Sequence, residues 1–258
     1  MIRRRMLCVS AAFVFVLFIA ETNLSLCSGA SGADDTVSAA KQKGLDWLKS
    51  KQKENGAWSD EKFPAITAFG LWVFAGSSHP AKDELCMRAA AFVTGFVQPD
   101  GGIYKPATGG RGSGGLSTYN TAICMTALHY YDSVKYAPII LKAREYVAGS
   151  QLQGDSAGAG GFGYERFAGP GNRADLSNTA WLLMAMRATQ GVEDLRPAGA
   201  KKTDIDWAAS LKFIEKLQIQ DKEDAENHGG FVYEVGGERG KSMVVQKKGV
   251  VKLCGYGS

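Results

Sequence analysis

Residues 174–181 read Ala-Asp-Leu-Ser-Asn-Thr-Ala-Trp: one carboxyl and three small polar side chains ahead of an apolar run. Asp175 is the candidate catalytic residue, because a carboxylic acid held above its ordinary range can donate a proton to a substrate. Ser177 and Asn178, standing before Thr179, can do something plainer and accept from the free backbone donors of a helix that starts there. Asn-Thr-Ala recurs at residues 120–122 with no acid upstream. The triplet therefore reads as a helix entry, with Asp175 the acid left beside it.

Other reactive side chains are scattered. Cys124 and His129 lie five residues apart, which on a helix turns them about 140° away from each other, so they cannot easily share an ion. His228, just before Gly229-Gly230, sits in a turn without a partner ligand and reads as solvated or capping. Cys86, Cys124 and Cys254 have neither disulfide-framework nor metal-ligand spacing. No metal and no cofactor is expected. The glycines of residues 158–163 follow no strand and precede no Lys-Ser/Thr pair, so they read as a lid or an enlarged turn and not as a nucleotide loop.

Trp58, Tyr104, Tyr164 and Tyr233 each follow a glycine turn. They could line one rim as a stacking platform or pack against the adjacent repeat. The stretches 105–116 and 162–173 are glycine-rich and unequal in length, as loops that carry specificity often are. Glu165, Arg166, Arg173 and Asp175 put mixed charge there. The candidate ligand-binding residues are thus Trp58, Tyr104, Tyr164, Glu165, Arg173 and Tyr233.

The elements that must position these residues emerge from internal repetition. Lys-Gly-Leu-Asp-Trp-Leu-Lys-Ser-Lys-Gln from Lys43 leads to Gly56 and Trp58. The same frame returns from Arg88, Lys142 and Ala209, with anchor residues Gln52, Gln98, Gln151 and Gln218 spaced by 46, 53 and 67 residues. After each of the first three turns comes a second segment, opening at Phe63-Pro64-Ala65-Ile66-Thr67, Thr118-Tyr119-Asn120-Thr121 and Leu176-Ser177-Asn178-Thr179. These run on into F-G-L-W-V-F-A, I-C-M-T-A-L-H-Y-Y and W-L-L-M-A-M-R-A, too apolar all round for surface helices. Residues 41–52 and 206–219 mix charge with an apolar stripe, as outer helices do. Asp204 is placed to cap the last of them. Stacked outer–inner pairs predict an all-α chain, an α/α toroid or partial α/α barrel of about four helix-pair repeats.

The N-terminus, with Arg3-Arg4-Arg5 before an apolar run to Ala20 and small residues at 28–30, has the pattern of a secretory signal. The expected organisation is residues 1–30 as a signal peptide, 31–38 as a linker and 39–258 as repeats. Export, periplasmic or secreted, follows, with membrane contact only through that signal. An uncleaved anchor, which would want ~20 apolar residues, and lipidation at Cys27 are the rival readings. Formal charge is +4, falling to +2 without residues 1–30 and their three Arg and one Glu. No dense basic stripe accompanies it, which excludes a nucleic-acid partner.

Lys43-Gly44, Trp47-Leu48, Gln52, Gly56 and Trp58 resemble the complete Q-W repeat motif of squalene and oxidosqualene cyclases. From about residue 39 onward the chain is similar to the wider group of cyclase and prenyltransferase toroids. The resemblance implies that each glutamine amide binds a neighbouring helix end beneath an aromatic ring. It also implies an apolar inner wall (Trp72, Phe74, Met125, Trp181, Met184, Met186) and chemistry on isoprenoids. The cyclase motif D-x-D-D-T-A, however, matches here as Asp175-Leu176-Ser177-Asn178-Thr179-Ala180, without the proton-donating middle acid. The Asp-Cys-His zinc set of protein prenyltransferases and the Gly-Cys-Gly-Glu-Gln of thioester domains have no counterpart either. Two functions are expected: an exported, non-catalytic binding or scaffold toroid for an apolar or isoprenoid ligand, a glycan or a peptide, or a terpenoid-cyclizing or prenyl-transferring enzyme. Three complete pairs and one outer helix do not close a ring, and Tyr256-Gly257-Ser258 resembles the opening of another inner helix. Further C-terminal repeats or a partner are expected to complete it.

Overall fold

A computed structural model describes residues 31–109, 115–166, 173–223, 228–235, 244–247 and 250–253. The expected signal (1–30), Cys254 and the segment from Tyr256 lie outside them. Two compact units divide the chain, Met1–Gly44 and Leu45–Ser258. In the first, the described residues are helical.

The described residues are predominantly helical: α1 (Ser31–Lys51), α2 (Pro64–Ala75), α3 (Lys82–Thr94), α4 (Ser117–Asp132), α5 (Ala137–Ala148), α6 (Leu176–Ala188), a 3-10 turn (Gln190–Leu195) and α7 (Trp207–Leu217). A short antiparallel hairpin, β1 (Val244–Lys247) with β2 (Val250–Leu253), follows. Helix α1 begins at Ser31, so the expected linker is its first two turns. No proline interrupts residues 31–43, and between Gly32 and Gly44 no glycine does, with alanines at 33, 39 and 40 favouring the continuation.

Helices α2, α4 and α6 form a row. Helix α3 packs on α2 and α4, and α5 packs on α4 and α6. Helix α4 is the centre of the core, buried from Ser117 to Leu128 apart from Tyr119. The alternation of charged and apolar segments in the sequence maps onto this division, since a helix with neighbours on several sides has little polar face to spare. Proline at the first turns of α2 and α5 fixes a helical φ where no intrahelical donor is needed.

Caps differ from expectation at two helices. The cap of α6 is Asp175, whose carboxylate accepts from the backbone N–H of Asn178 at 2.8 Å, and not Ser177 or Asn178. The cap of α7 is Asp206, accepting from Ala209 N–H at 2.9 Å. Asp204 instead accepts from the N–H of Ile205 and from the Trp207 indole. In both cases the side chain three residues before the first free donor does the capping, and sequence offered several polar residues within that reach.

One hydrogen bond recurs in every complete pair. The backbone N–H of Trp58, Ile103 and Phe162 donates to the hydroxyl of Thr67, Thr121 and Thr179, at 3.0, 2.8 and 3.0 Å. Each threonine thus ties a turn to the helix that follows it. Trp58 also stacks on Phe74, donates from its indole to Leu48 O at 2.8 Å and lies flat on Gly70, where an added Cβ would come within 2.5 Å of the ring. That contact explains a glycine in mid-helix, which otherwise costs roughly 1 kcal/mol relative to alanine.

Behind the row, Arg144 of α5 is almost fully buried with Glu193. The Arg144 Nε donates to Glu193 Oε1 at 2.6 Å, Nη1 to Met186 O and Thr189 Oγ1, and Nη2 to Thr203 O at 2.9 Å. Arg196 meets the same carboxylate at 2.5 Å, and Thr203 N–H completes it at 3.0 Å. Burial pushes the Glu193 carboxyl up, but the bonds from Arg196, Thr203 and Arg144 outweigh it and hold the group below its ordinary value.

Candidate functional site: an aromatic face with a buried carboxyl

The side of the α2–α4–α6 row left uncovered by α3 and α5 is lined with rings. Phe69 of α2 meets Trp181 of α6 edge-on at 5.4 Å, and Trp72 meets it at 6.5 Å. Trp72 also stacks on Tyr130 of α4 at 5.1 Å, and Tyr119 at the start of α4 lies 6.2 Å from Trp181. The rings reach across α4 from both flanks. Phe69 and Tyr130 remain exposed, as do Ile66 and Val73 on the same face of α2. Edge-to-face and offset contacts of this kind lock large side chains in place at small entropic cost, leaving a rigid apolar surface.

At the start of α6 the aromatic face meets polar groups. Tyr119 and Ser177 hydroxyls are 3.1 Å apart, and Tyr119 stacks on Tyr164 at 6.3 Å. The Tyr164 and Tyr233 hydroxyls bond to each other, and Tyr233 bonds in turn to the Asp175 carboxylate. Asp175 is 2% exposed. Its Oδ1 caps Asn178 N–H, and its Oδ2 accepts from Asn178 Nδ2 at 2.7 Å. Burial pushes the Asp175 carboxyl up, against the opposing pull of its bonds to Asn178 and Tyr233. Burial and the Tyr164 bond push the Tyr233 phenol well above its ordinary value.

The candidate residues divide between places. Asp175, Tyr164 and Tyr233 come together. Arg173 adjoins them in sequence and pairs with the buried Glu234 at 3.2 Å. Glu165 turns its carboxylate onto the start of α4, accepting from Leu116 N–H at 2.6 Å and Ser117 N–H at 3.2 Å. There it holds Leu116 in a left-handed conformation, φ 54°. Trp58 is buried in the core. Tyr104 lies against Tyr146 and donates to Asp100 at 3.1 Å, its phenol pushed up to about 12 by burial and by Asp100. The hydrogen-bonding frame makes Ile103, Phe162 and Phe231 the counterparts of Trp58, with the three tyrosines one or two residues later.

Of the expected wall, Trp72 and Trp181 lie in the face, whereas Phe74, Met125 and Met186 are fully buried core. Cys124 is likewise in the core, its thiol pushed well up by burial, and His129 is held below its ordinary value by burial. Among the described residues no three His, Cys, Asp or Glu side chains could hold a metal ion. None of the described helices is long and apolar enough to cross a membrane. Sequence reasoning missed Tyr119 and Ser177. Their signal was positional: each precedes the Asn-Thr-Ala triplet, so equal places on adjacent helices face each other.

Asp175→Ala is expected to lose about 1–2 kcal/mol in urea denaturation, the usual cost of a lost N-cap. Because its pKa is raised, the folded chain holds the Asp175 proton more tightly than the unfolded chain does. The stability linked to that proton is complete below the ordinary aspartate value and is lost as pH rises through the raised one. Asp175→Asn should therefore flatten this part of the pH–stability profile.

No protein-family model matches the chain, and no curated protein matches it.

Proposed function

We propose that this is an exported helix-pair repeat protein of the squalene-cyclase and prenyltransferase toroid type, acting by binding an apolar ligand and not by acid catalysis. The observation that carries the reading is the aromatic face of α2, α4 and α6, where rings from three helices present a partly exposed apolar surface. Exposed apolar surface of this kind on a well-packed chain marks a binding site more often than a chemical one. The recurring threonine–turn bonds and the glutamine contacts support the repeat reading, and the pattern of residues 1–30 supports export.

Titrating the protein with farnesol while following tryptophan fluorescence tests the reading. Saturable quenching is expected, with Trp181→Ala weakening binding at least tenfold, about 1.4 kcal/mol. A signal that never saturates, or one indifferent to Trp181, counts against it. Glycan or peptide oligomers in the same assay test the other ligand classes.

A second reading, a terpenoid-cyclizing or prenyl-transferring enzyme, draws support from the raised pKa of Asp175 and its nearness to the rings. Against it, both carboxylate oxygens are committed to the first turn of α6 and to Tyr233. Turnover of squalene or a prenyl diphosphate that Asp175→Asn abolishes would favour this second reading over binding alone.

A further inference from the structure

The three helices under the aromatic face carry almost no charge. Residues 64–75 of α2 and 117–131 of α4 contain no Lys, Arg, Asp or Glu, and α6 contains none before Arg187, which bonds to Gln190 beyond the helix end. Burial holds His129 of α4 below its ordinary value. Tyr119 and Tyr130, eleven residues apart, share one side of α4 and make the ringed strip about 16 Å long. An extended hydrocarbon chain can lie along such a strip and gain from each ring it covers.

Charge gathers at one end of the strip, and it is engaged within the protein. Helices α4 and α6 begin side by side there, and two helix N-termini would together attract an anion. Their donors are occupied by the chain's own acceptors. Glu165 accepts from Leu116 and Ser117 N–H at 2.6 and 3.2 Å, and Tyr164 O accepts from Thr118 N–H at 3.3 Å. The Asp175 carboxylate accepts from Ser177 and Asn178 N–H. The flanking guanidiniums are engaged as well: Arg173 pairs with Glu234 at 3.2 Å, and Arg166 lies 5.0 Å over the Tyr146 ring. A phosphate brought to this end would meet two carboxylates where it needs donors.

What this end offers instead is a pair of hydroxyls. Tyr119 Oη and Ser177 Oγ are 3.1 Å apart, and both residues are half-buried. Two hydroxyls that share one bond keep a second proton and unshared lone pairs, so the pair can both donate and accept. It is continuous with the rings. Tyr119 lies 6.2 Å from Trp181, and Ser177 stands four residues before Trp181, on the same side of α6. An oxygen at the end of a chain lying on Trp181 is placed to meet both hydroxyls.

We infer that the ligand of the aromatic face is a long-chain alcohol, uncharged at its head, whose hydroxyl bonds to the Tyr119–Ser177 pair while its tail lies on Trp181, Trp72 and Tyr130. The inference rests on the binding reading given above and narrows it: the protein takes the free alcohol and turns away its phosphate esters. Discrimination comes from the filled helix starts, because an anionic head would be held beside Glu165 and Asp175.

Tryptophan-fluorescence titrations of the full chain with farnesol, farnesyl methyl ether and farnesyl diphosphate test it. Farnesol should bind about threefold or more tighter than the ether, which cannot donate, and about tenfold or more tighter than the diphosphate. The double variant Tyr119→Phe, Ser177→Ala keeps the rings and should bind farnesol and the ether alike; a merely structural role for the pair would weaken both in proportion and leave their ratio unchanged. Glu165→Gln, which removes one charge, should narrow the gap between farnesol and the diphosphate. Equal binding of alcohol and ether by the unaltered chain, a diphosphate that binds as tightly as farnesol, or a double variant that keeps the preference overturns the inference and leaves the binding reading standing. No saturable quenching by any of the three overturns that reading, and the inference with it.

Discussion

Arg144→Ala will destabilise the fold by about 3–5 kcal/mol, the range for a buried charge pair broken from one side. The guanidinium satisfies the carbonyls of Met186 and Thr203, the hydroxyl of Thr189 and one oxygen of Glu193, all at 2.6–2.9 Å. Removing it takes a buried donor from the Met186 carbonyl and the Thr189 hydroxyl and leaves Glu193 to Arg196 and Thr203 alone, and a buried acceptor that loses its partner costs its desolvation. Chemical denaturation with a two-state fit reads the loss directly. The cycle Arg144→Ala, Glu193→Ala and the double variant should show the second substitution costing less in the absence of the first. Glu193 sits below its ordinary pKa, so its contribution is present above the ordinary glutamate range and is lost as pH falls through the lowered value. The acid limb of the stability profile should therefore shrink in Arg144→Ala. An unchanged limb together with a loss under 1 kcal/mol would show the network to be ornamental.

Gly160→Ala is the second large effect, with an expected loss of about 2–5 kcal/mol. A left-handed φ of +88° costs an alanine about 1–2 kcal/mol, and crowding against packed neighbours adds about 1–3 kcal/mol. Crowding is certain to be felt because the obstacle is backbone: Ala209 O at 2.1 Å, its carbon at 2.4 Å and Ser210 N at 3.0 Å. Gly154 supplies the control, with φ +87° and nothing within 4 Å among the described residues. Gly154→Ala should lose only the conformational part. If both variants melt alike, the close approach of α7 to the third turn is not what holds that glycine in place.

Much of the helical layout was legible because apolar periodicity and turn residues are local signals. The two classes of segment, charged-and-striped against apolar throughout, mapped onto flanking helices and central row. Gln52 and Gln151 announced themselves by position and do reach the next helix. Gln98 had the same position but bonds within its own turn, to Phe96 O and Tyr104 O at 3.0 and 2.8 Å, because one extra residue precedes it. Capping was misassigned by two or three residues wherever several Asp, Asn or Ser side chains competed. The Arg144–Glu193 network was invisible. Its partners lie 49 residues apart, one inside a repeat and one in an irregular connection, and no spacing rule joins them. The polar end of the aromatic face was half legible: Asp175 stood out as chemistry, and only the structure paired it with Tyr233.

The anchoring glutamines make the turns indifferent to length. The same 3.1 Å bond from amide to glycine carbonyl spans four residues at Gln52, nine at Gln151 and eleven at Gln218. Closing the longest of these instead of the shortest costs only ~1 kcal/mol of chain entropy. New sequence grafted between Gln151 and Gly160 would thus leave the spacing of the scaffold untouched, and divergence can explore those inserts freely while the helices behind them stay as they are.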